Sequence, residues 1–287
     1  MRVVYIGTSE FAAAVLAVVA PALAPLLVVT RPPAAKGRGL RLTPTPVAAA
    51  ARELGLSVAE PERLEDAGPQ IAAAAPEAVV LCAYGALVRE PLLSNHEILN
   101  VHPSLLPRWR GAAPIERAIM AGDEQTGVSI MRLVAALDAG PVCGSETVAI
   151  ASDDDYGTLS ARLGTLAAKL LLDALAGPRS YVEQDDAGAT YAEKITAADR
   201  LLDAGQPAAS LERRVRALHP HIGARLADGL GVAAARVTTE RIAAGALLAR
   251  DGRLLLGATP GTLELLRVKP QGGREMDAAA YLRGHAV

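Results

Sequence analysis

A chain of 287 residues with 51% hydrophobic side chains is long enough for two domains and too apolar to be disordered, and its formal charge of −2 gives no sign of a partner by itself. Two cysteines, Cys82 and Cys143, sit in apolar runs without metal-ligand spacing. A disulfide scaffold is excluded, and a reducing cytoplasm is the expected compartment.

In chain order, Val3, Val4, Tyr5 and Ile6 predict a first strand, and Gly7-Thr8-Ser9-Glu10 turns it into an alanine-rich helix. A lone Gly at that turn is weak evidence for an anion site. Without G-x-G-x-x-G or a P-loop lysine, hydride chemistry is disfavoured. Residues 12–29 are wholly apolar and of membrane-spanning length. Pro21 and Pro25 break them, alanine dominates and a strand precedes them, so no membrane role is expected. Residues 26–30 predict a second strand, 47–54 a helix, 57–59 a short strand, 69–75 a helical piece, and 78–83 and 97–102 two more strands. Unbroken apolar strands alternating with helices predict a doubly wound, mostly parallel α/β sheet. Leu159, Leu163, Leu166, Leu170 and Leu171 mark a helix over 155–176.

Gly, Pro and Asp then thicken, which reads as a linker over 178–206 between a domain at 1–177 and a second at 207–287. In the second, residues 211–218 predict a helix carrying Arg213, Arg214 and Arg216. Runs at 234–239, 246–249, 253–257 and 262–269 predict a small barrel. Residues 205–287 hold 12 Lys and Arg against 7 Asp and Glu, and the rest of the chain holds 17 against 24. A basic tail behind an acidic body suits a polyanionic partner. His219 and His221 flank Pro220 in what only superficially resembles a metal tract, and no metal is expected.

The chemistry concentrates near residue 100. Asn100 and His102 are two apart at the end of an apolar strand and so face one side. Strand C-termini of open α/β sheets are where ligands bind. Downstream, Leu137-Asp138-Ala139-Gly140 supplies a carboxylate. Taken singly, His102 could close a strand end and Asp138 could pair with Arg132. Together an amide, an imidazole and a carboxylate suit acyl transfer to an amine: two groups donate to an oxyanion and the third receives a proton. No Ser or Cys occupies a nucleophile elbow, so direct transfer is the simpler scheme.

Asn100-x-His102-x-Ser104-Leu105-Leu106-Pro107 followed by Asp138 resembles the signature of the folate-dependent formyltransferases. Arg108-Trp109-Arg110-Gly111-Ala112-Ala113-Pro114-Ile115 and Gly122-Asp123-Glu124-Gln125-Thr126-Gly127 are most similar to the branch that formylates methionyl-tRNA. The likeness runs from Gly7-Thr8-Ser9 to residues 278–284. It implies a formyltransferase-type catalytic domain and a C-terminal OB-like β-barrel. It implies Asn100, His102 and Asp138 as catalytic residues and Ser104, Leu105, Leu106 and Pro107 as folate contacts, with the pterin in a slot near Ala83-Tyr84-Gly85 and residues 133–138. The co-substrate would be 10-formyltetrahydrofolate and the acceptor initiator methionyl-tRNA, used by a cytoplasmic monomer in translation initiation. The stretch from Arg31 to Arg41 holds four cations and no acid among Gly and Pro, the texture of an exposed, mobile loop. The family's tRNA-entering insertion is similar, which implies Arg38, with Lys36 and Arg41, as tRNA contacts. Two rivals are a relative that formylates a small amine, such as glycinamide ribonucleotide or an amino-sugar nucleotide, and a nucleic-acid binder with an idle site.

Overall fold

The computed structural model describes residues 1–36 and 41–285, the side chain of Lys36 excepted. The chain forms two compact units. The first comprises Met1–Pro114, Thr126–Ala149 and Ser160–Ala192, and the second Ile115–Gln125, Ile150–Leu159 and Glu193–Val287. Residues 178–192 of the expected linker thus cluster with the first unit, and 193–206 with the second.

The first unit is built on a seven-stranded sheet. Its strands are β1 (Val3–Gly7), β2 (Leu27–Val29), β3 (Val58–Ala59), β4 (Ala78–Cys82), β5 (Ile98–His102), β6 (Gln125–Arg132) and β7 (Val142–Ala149). They lie in the order β7-β6-β5-β4-β1-β2-β3. From β3 to β5 every pairing is parallel, and β6 runs antiparallel to β5. Val3, Val4, Tyr5 and Ile6 are all 0% exposed, which is why β1 reads as an unbroken apolar run. A Cβ on Gly7 would stand 2.8 Å from the Cys82 carbonyl oxygen and 2.9 Å from the Ala12 Cβ. Close packing at the turn therefore accounts for this glycine.

The helix Glu10–Leu23 starts where the Ser9 hydroxyl accepts from the Ala12 N–H at 3.2 Å. It buries Phe11, Ala12, Val15, Leu16 and Val19, a helical stripe packed into the core. The span-length apolar stretch is thus a 14-residue core helix plus a strand. Among the described residues no helix is long and apolar enough to cross a membrane.

In the second unit, the helix Ala208–Leu218 buries Ala208, Leu211, Val215 and Leu218 and leaves Arg213, Arg214 and Arg216 half-buried. This stripe joins Leu254, Leu256, Leu263, Leu265 and Val268 in one core. Those last residues come from a six-stranded antiparallel sheet: β8 (Ala224–Arg225), β9 (Gly231–Thr238), β10 (Leu247–Arg250), β11 (Arg253–Gly257), β12 (Thr262–Lys269) and β13 (Met276–Asp277). Of the four short runs expected here, the last two have the predicted bounds. The mixed α/β sheet followed by an antiparallel β domain is the fold class expected of the sequence.

Candidate active site

The site grows from the end of β5. Because side chains alternate along a strand, Asn100 and His102 leave the same face, and both are buried. The chain returns through β6, with Asn100 opposite Met131 and His102 opposite Ser129. Just after β6, residues 133–140 fold into a short loop that carries Asp138 back over β5.

Asp138, distant in the sequence, there meets Asn100 and His102. Asn100 Nδ2 donates to Asp138 Oδ1 at 3.2 Å, and the backbone N–H of Gly111 donates to Asp138 Oδ2 at 2.8 Å. His102 Nδ1 stands 3.7 Å from Asp138 Oδ2, within ion-pair range but beyond a hydrogen bond. The other ring nitrogen, Nε2, lies 2.8 Å from the carbonyl oxygen of Trp109. A carbonyl can only accept, so Nε2 carries a hydrogen there. Asp138 is 9% exposed; it accepts from an amide and a backbone N–H. Arg132 is exposed, and Asp138 takes its partners elsewhere.

Backbone geometry holds the constellation under strain. Asp138 has φ 46° and Trp109 φ 61°, both in the left-handed region that costs ordinary residues. Two glycines permit close approach. A Cβ on Gly140 would lie 1.9 Å from the Arg132 carbonyl oxygen, and one on Gly111 2.8 Å from the Ala192 carbonyl oxygen. Neither loop could close with a side chain at these positions.

The loop 104–107 is placed by its own hydrogen bonds. The Ser104 hydroxyl is fully buried and donates to the Arg108 carbonyl at 2.6 Å. The Ser129 hydroxyl donates to the Ser104 carbonyl at 2.8 Å and accepts from the Leu106 N–H at 3.1 Å. Ser104 is therefore spent on shaping the loop, while Leu105, Leu106 and Pro107 are half-buried and remain partly accessible. Tyr84 and Leu133, from the two expected walls of the pterin slot, belong to one apolar cluster. Burial also pushes the Tyr84 hydroxyl up from its ordinary value, against the pull of Arg31. The carboxylate thus lies beside two potential donors, an arrangement that can hold an oxyanion and take a proton from an attacking amine.

The residues expected to meet tRNA fall differently. Ala34–Lys36 and Arg41–Thr43 form a two-stranded antiparallel ribbon with Lys36 opposite Arg41. The stretch read as a loop is thus a β-ribbon at its flanks. Arg41 is exposed, and Arg38 lies outside the described residues.

Residues 1–175 match the formyl transferase family model, and residues 194–286 match the model of the formyl transferase C-terminal domain. A methionyl-tRNA formyltransferase of Halorhodospira halophila is 44% identical over all of this chain and 97% of its own length. The chain belongs to the methionyl-tRNA formyltransferase family. As a member it is a formyl group transferase. Among solved structures, the N-formyltransferase from Helicobacter canadensis in complex with folinic acid and dTDP-3-aminofucose is similar with a TM-score of 0.69. It is 13% identical, and the likeness covers 92% of this chain and 98% of that one. HypX from Aquifex aeolicus in complex with tetrahydrofolic acid has a TM-score of 0.66 at 16% identity, over 98% of this chain but 47% of its own. At these identities the two share the fold. The family is one that uses folate.

Several groups that shape this family member's site escaped the sequence reading. The Gly111 N–H and the Trp109 carbonyl act through backbone atoms, which the residue types of their motif do not announce, and Gln184 belongs to no quoted motif. Gly140 beside Asp138 was the one signal available, since a glycine next to a buried acid marks a tight approach. His219 and His221 are held by carboxylates, Asp155 at 2.8 Å and Glu116 at 2.9 Å. Among the described residues no group of three His, Cys, Asp or Glu could hold a metal ion.

Proposed function

We propose that this chain transfers the formyl group of 10-formyltetrahydrofolate to the free amino group of initiator methionyl-tRNA. The observation that carries the reading is the convergence of Asn100, His102 and Asp138, at 3.2 and 3.7 Å, in a chain 44% identical to a methionyl-tRNA formyltransferase. In this scheme the neutral amine attacks the formyl carbon. Asn100 Nδ2–H and a His102 N–H donate to the developing oxyanion, and Asp138 accepts the proton the amine loses. Collapse breaks the bond from the formyl carbon to the folate N10, and the proton that Asp138 accepted passes to that nitrogen, which leaves as a neutral amine. Atoms balance without a covalent enzyme intermediate or a metal.

Leu105, Leu106 and Pro107, on the loop that Ser104 holds, border the folate in this reading. Residues 1–177 supply the chemistry and 207–287, with its excess of Arg, the second tRNA surface, joined through 178–206. Lys36, Arg38 and Arg41 meet the acceptor arm, where cations neutralise phosphates and an Arg plane can stack on an unpaired base. The protein acts as a monomer in the cytoplasm.

The test is transfer of labelled formyl from 10-formyltetrahydrofolate to charged initiator tRNA, with free methionine and a small amino sugar as alternative acceptors. Label on the tRNA alone supports the reading. Equal label on the small amines, or none anywhere, ends it. Arg38→Ala should raise the KM for tRNA about tenfold and flatten its salt dependence, with the folate KM unchanged.

A further inference from the structure

The stretch after residue 180 has no part in the transfer scheme, yet it touches both loops that build the site. Val182 and Val142 exchange backbone hydrogen bonds at 2.8 and 2.9 Å. The Trp109 N–H donates to the Thr190 hydroxyl at 2.9 Å, and the Arg110 N–H to the Thr190 carbonyl at 2.9 Å. Tyr191 and Ala192 then pair in parallel with Arg110 and Gly111. This apposition is what a side chain at Gly111 would prevent, and the Gly111 N–H is one of the two donors to the Asp138 carboxylate.

Gln184 sits at the centre of the clasp. Its Oε1 accepts from Arg110 Nε at 3.0 Å and from Arg110 Nη2 at 2.9 Å. Its Nε2 donates to the carbonyl of Asp138 at 2.8 Å and to that of Gly140 at 2.7 Å. Both amide hydrogens and the oxygen are engaged, and only one orientation works, because a reversed amide would turn N–H groups on the guanidinium. Arg110 itself is 3% exposed and also donates to Asp186 at 2.8 Å. A buried guanidinium is thus tied through one amide to two carbonyls, those of Asp138 and Gly140, at the end of the loop that carries Asp138. That loop holds Asp138 at φ 46°, a conformation that persists only when its surroundings over-determine it.

We infer that Gln184 is a positioning residue for formyl transfer: through its two donated hydrogen bonds it sets the Asp138 carboxylate against His102 and Asn100. The inference rests on the reading of those three residues as the transfer site. A displacement of about 1 Å at such a group can cost on the order of 10²-fold in rate. Leu at 184 removes both donors and the acceptor. Glu keeps the acceptor for Arg110 but turns a carboxylate oxygen onto two carbonyls.

The experiment is a double-mutant cycle on the full chain, measuring kcat and KM for formylation of methionyl-tRNA by wild type, Gln184→Leu, Asp138→Asn and the double variant, then the same cycle with Gln184→Glu. The expected result is a fall in kcat of about 10- to 100-fold for Gln184→Leu with the KM for tRNA within about threefold. Added to Asp138→Asn, the same change should cost less than about threefold further, because the group it positions is already disabled. A structural role would instead give the full loss in both backgrounds, and that outcome overturns the inference, as does turnover above half of wild type. Should the leucine variant not fold, the glutamate cycle decides by the same criteria. Asp138→Asn with wild-type turnover would remove the site reading itself, a failure visible without any change at residue 184.

Discussion

The molecule uses carboxylates in two ways, and Asp138 and Asp199 show the contrast. Asp199, in the second unit, accepts from Arg117 Nη1 at 2.8 Å and Nη2 at 3.3 Å, and from the Thr196 N–H and hydroxyl, each at 2.8 Å. A guanidinium fork closes on it and its charge is answered in place. Asp138 accepts one amide and one backbone N–H, and its ionic neighbour is an imidazole that stops at 3.7 Å. The histidine pairs repeat the lesson, since His219 and Asp155 make a direct hydrogen bond at 2.8 Å on a partly exposed surface. Pairs satisfied by each other are structural. A buried pair kept apart by backbone partners leaves donors and an acceptor to be shared with a substrate.

The largest effect that would break this comparison is on chemistry. Asp138→Asn keeps the size and an oxygen for the Gly111 N–H but removes the charge that would receive the proton in the proposed scheme. Turnover should fall on the order of 10²-fold or more in single-turnover formylation, with the protein still folded. A loss of less than threefold would place Asp138 in the same class as Asp199.

Next comes the glycine that lets the Asp138 loop close. In Gly140→Ala the new Cβ would meet the Arg132 carbonyl at 1.9 Å, against backbone that cannot swing aside. A loss of roughly 3 kcal/mol in urea-unfolding free energy, with turnover reduced as well, is expected for forced overpacking next to a strained residue. Wild-type stability in this variant would mean that the loop adapts freely, and the strain argument for Asp138 would fail with it.

How much of this was legible in the sequence depended on how local the cause is. β1 and β4 read as unbroken apolar runs because burial on both faces leaves no polar positions, and β5 departs from that only at Asn100 and His102. Asn100 and His102 were legible from a two-residue period at a strand end, and Asp138 from an acid set beside a glycine. β6 does not read as a strand, since Thr126 and Ser129, though buried, interrupt its apolar run. The role of 181–192 was illegible for another reason. Its Gly, Pro and Asp content is that of a linker, and it takes the bridge of Val182 to Val142 and the parallel pairing of Tyr191 with Arg110 to bring Gln184 onto the Asp138 loop. Nothing in the local pattern encodes a contact set by a chain return of 74 residues. The basic stretch near Arg38 was recognised from composition, which is blind to the ribbon its flanks form.

The smallest effect sharpens the other side of the contrast. Asp199 is held down at about 2 against an ordinary value of 3.8, first by the hydrogen bond from Arg117 and then by the Thr196 donors. A carboxyl depressed in the folded state contributes stability that is complete above its unfolded value and lost as pH falls through the folded one. Asp199→Asn should therefore lower the unfolding free energy by about 1 kcal/mol at pH 7, a modest figure because the pair is partly solvated. The gap between variant and wild type should narrow below pH 3.8 and close near pH 2. Formyl transfer at saturating tRNA should stay within about twofold of wild type, because this carboxylate faces a cation and not a reacting atom. A pH-independent gap would show that the variant lost packing rather than charge, and would remove Asp199 as the structural counterpart of Asp138.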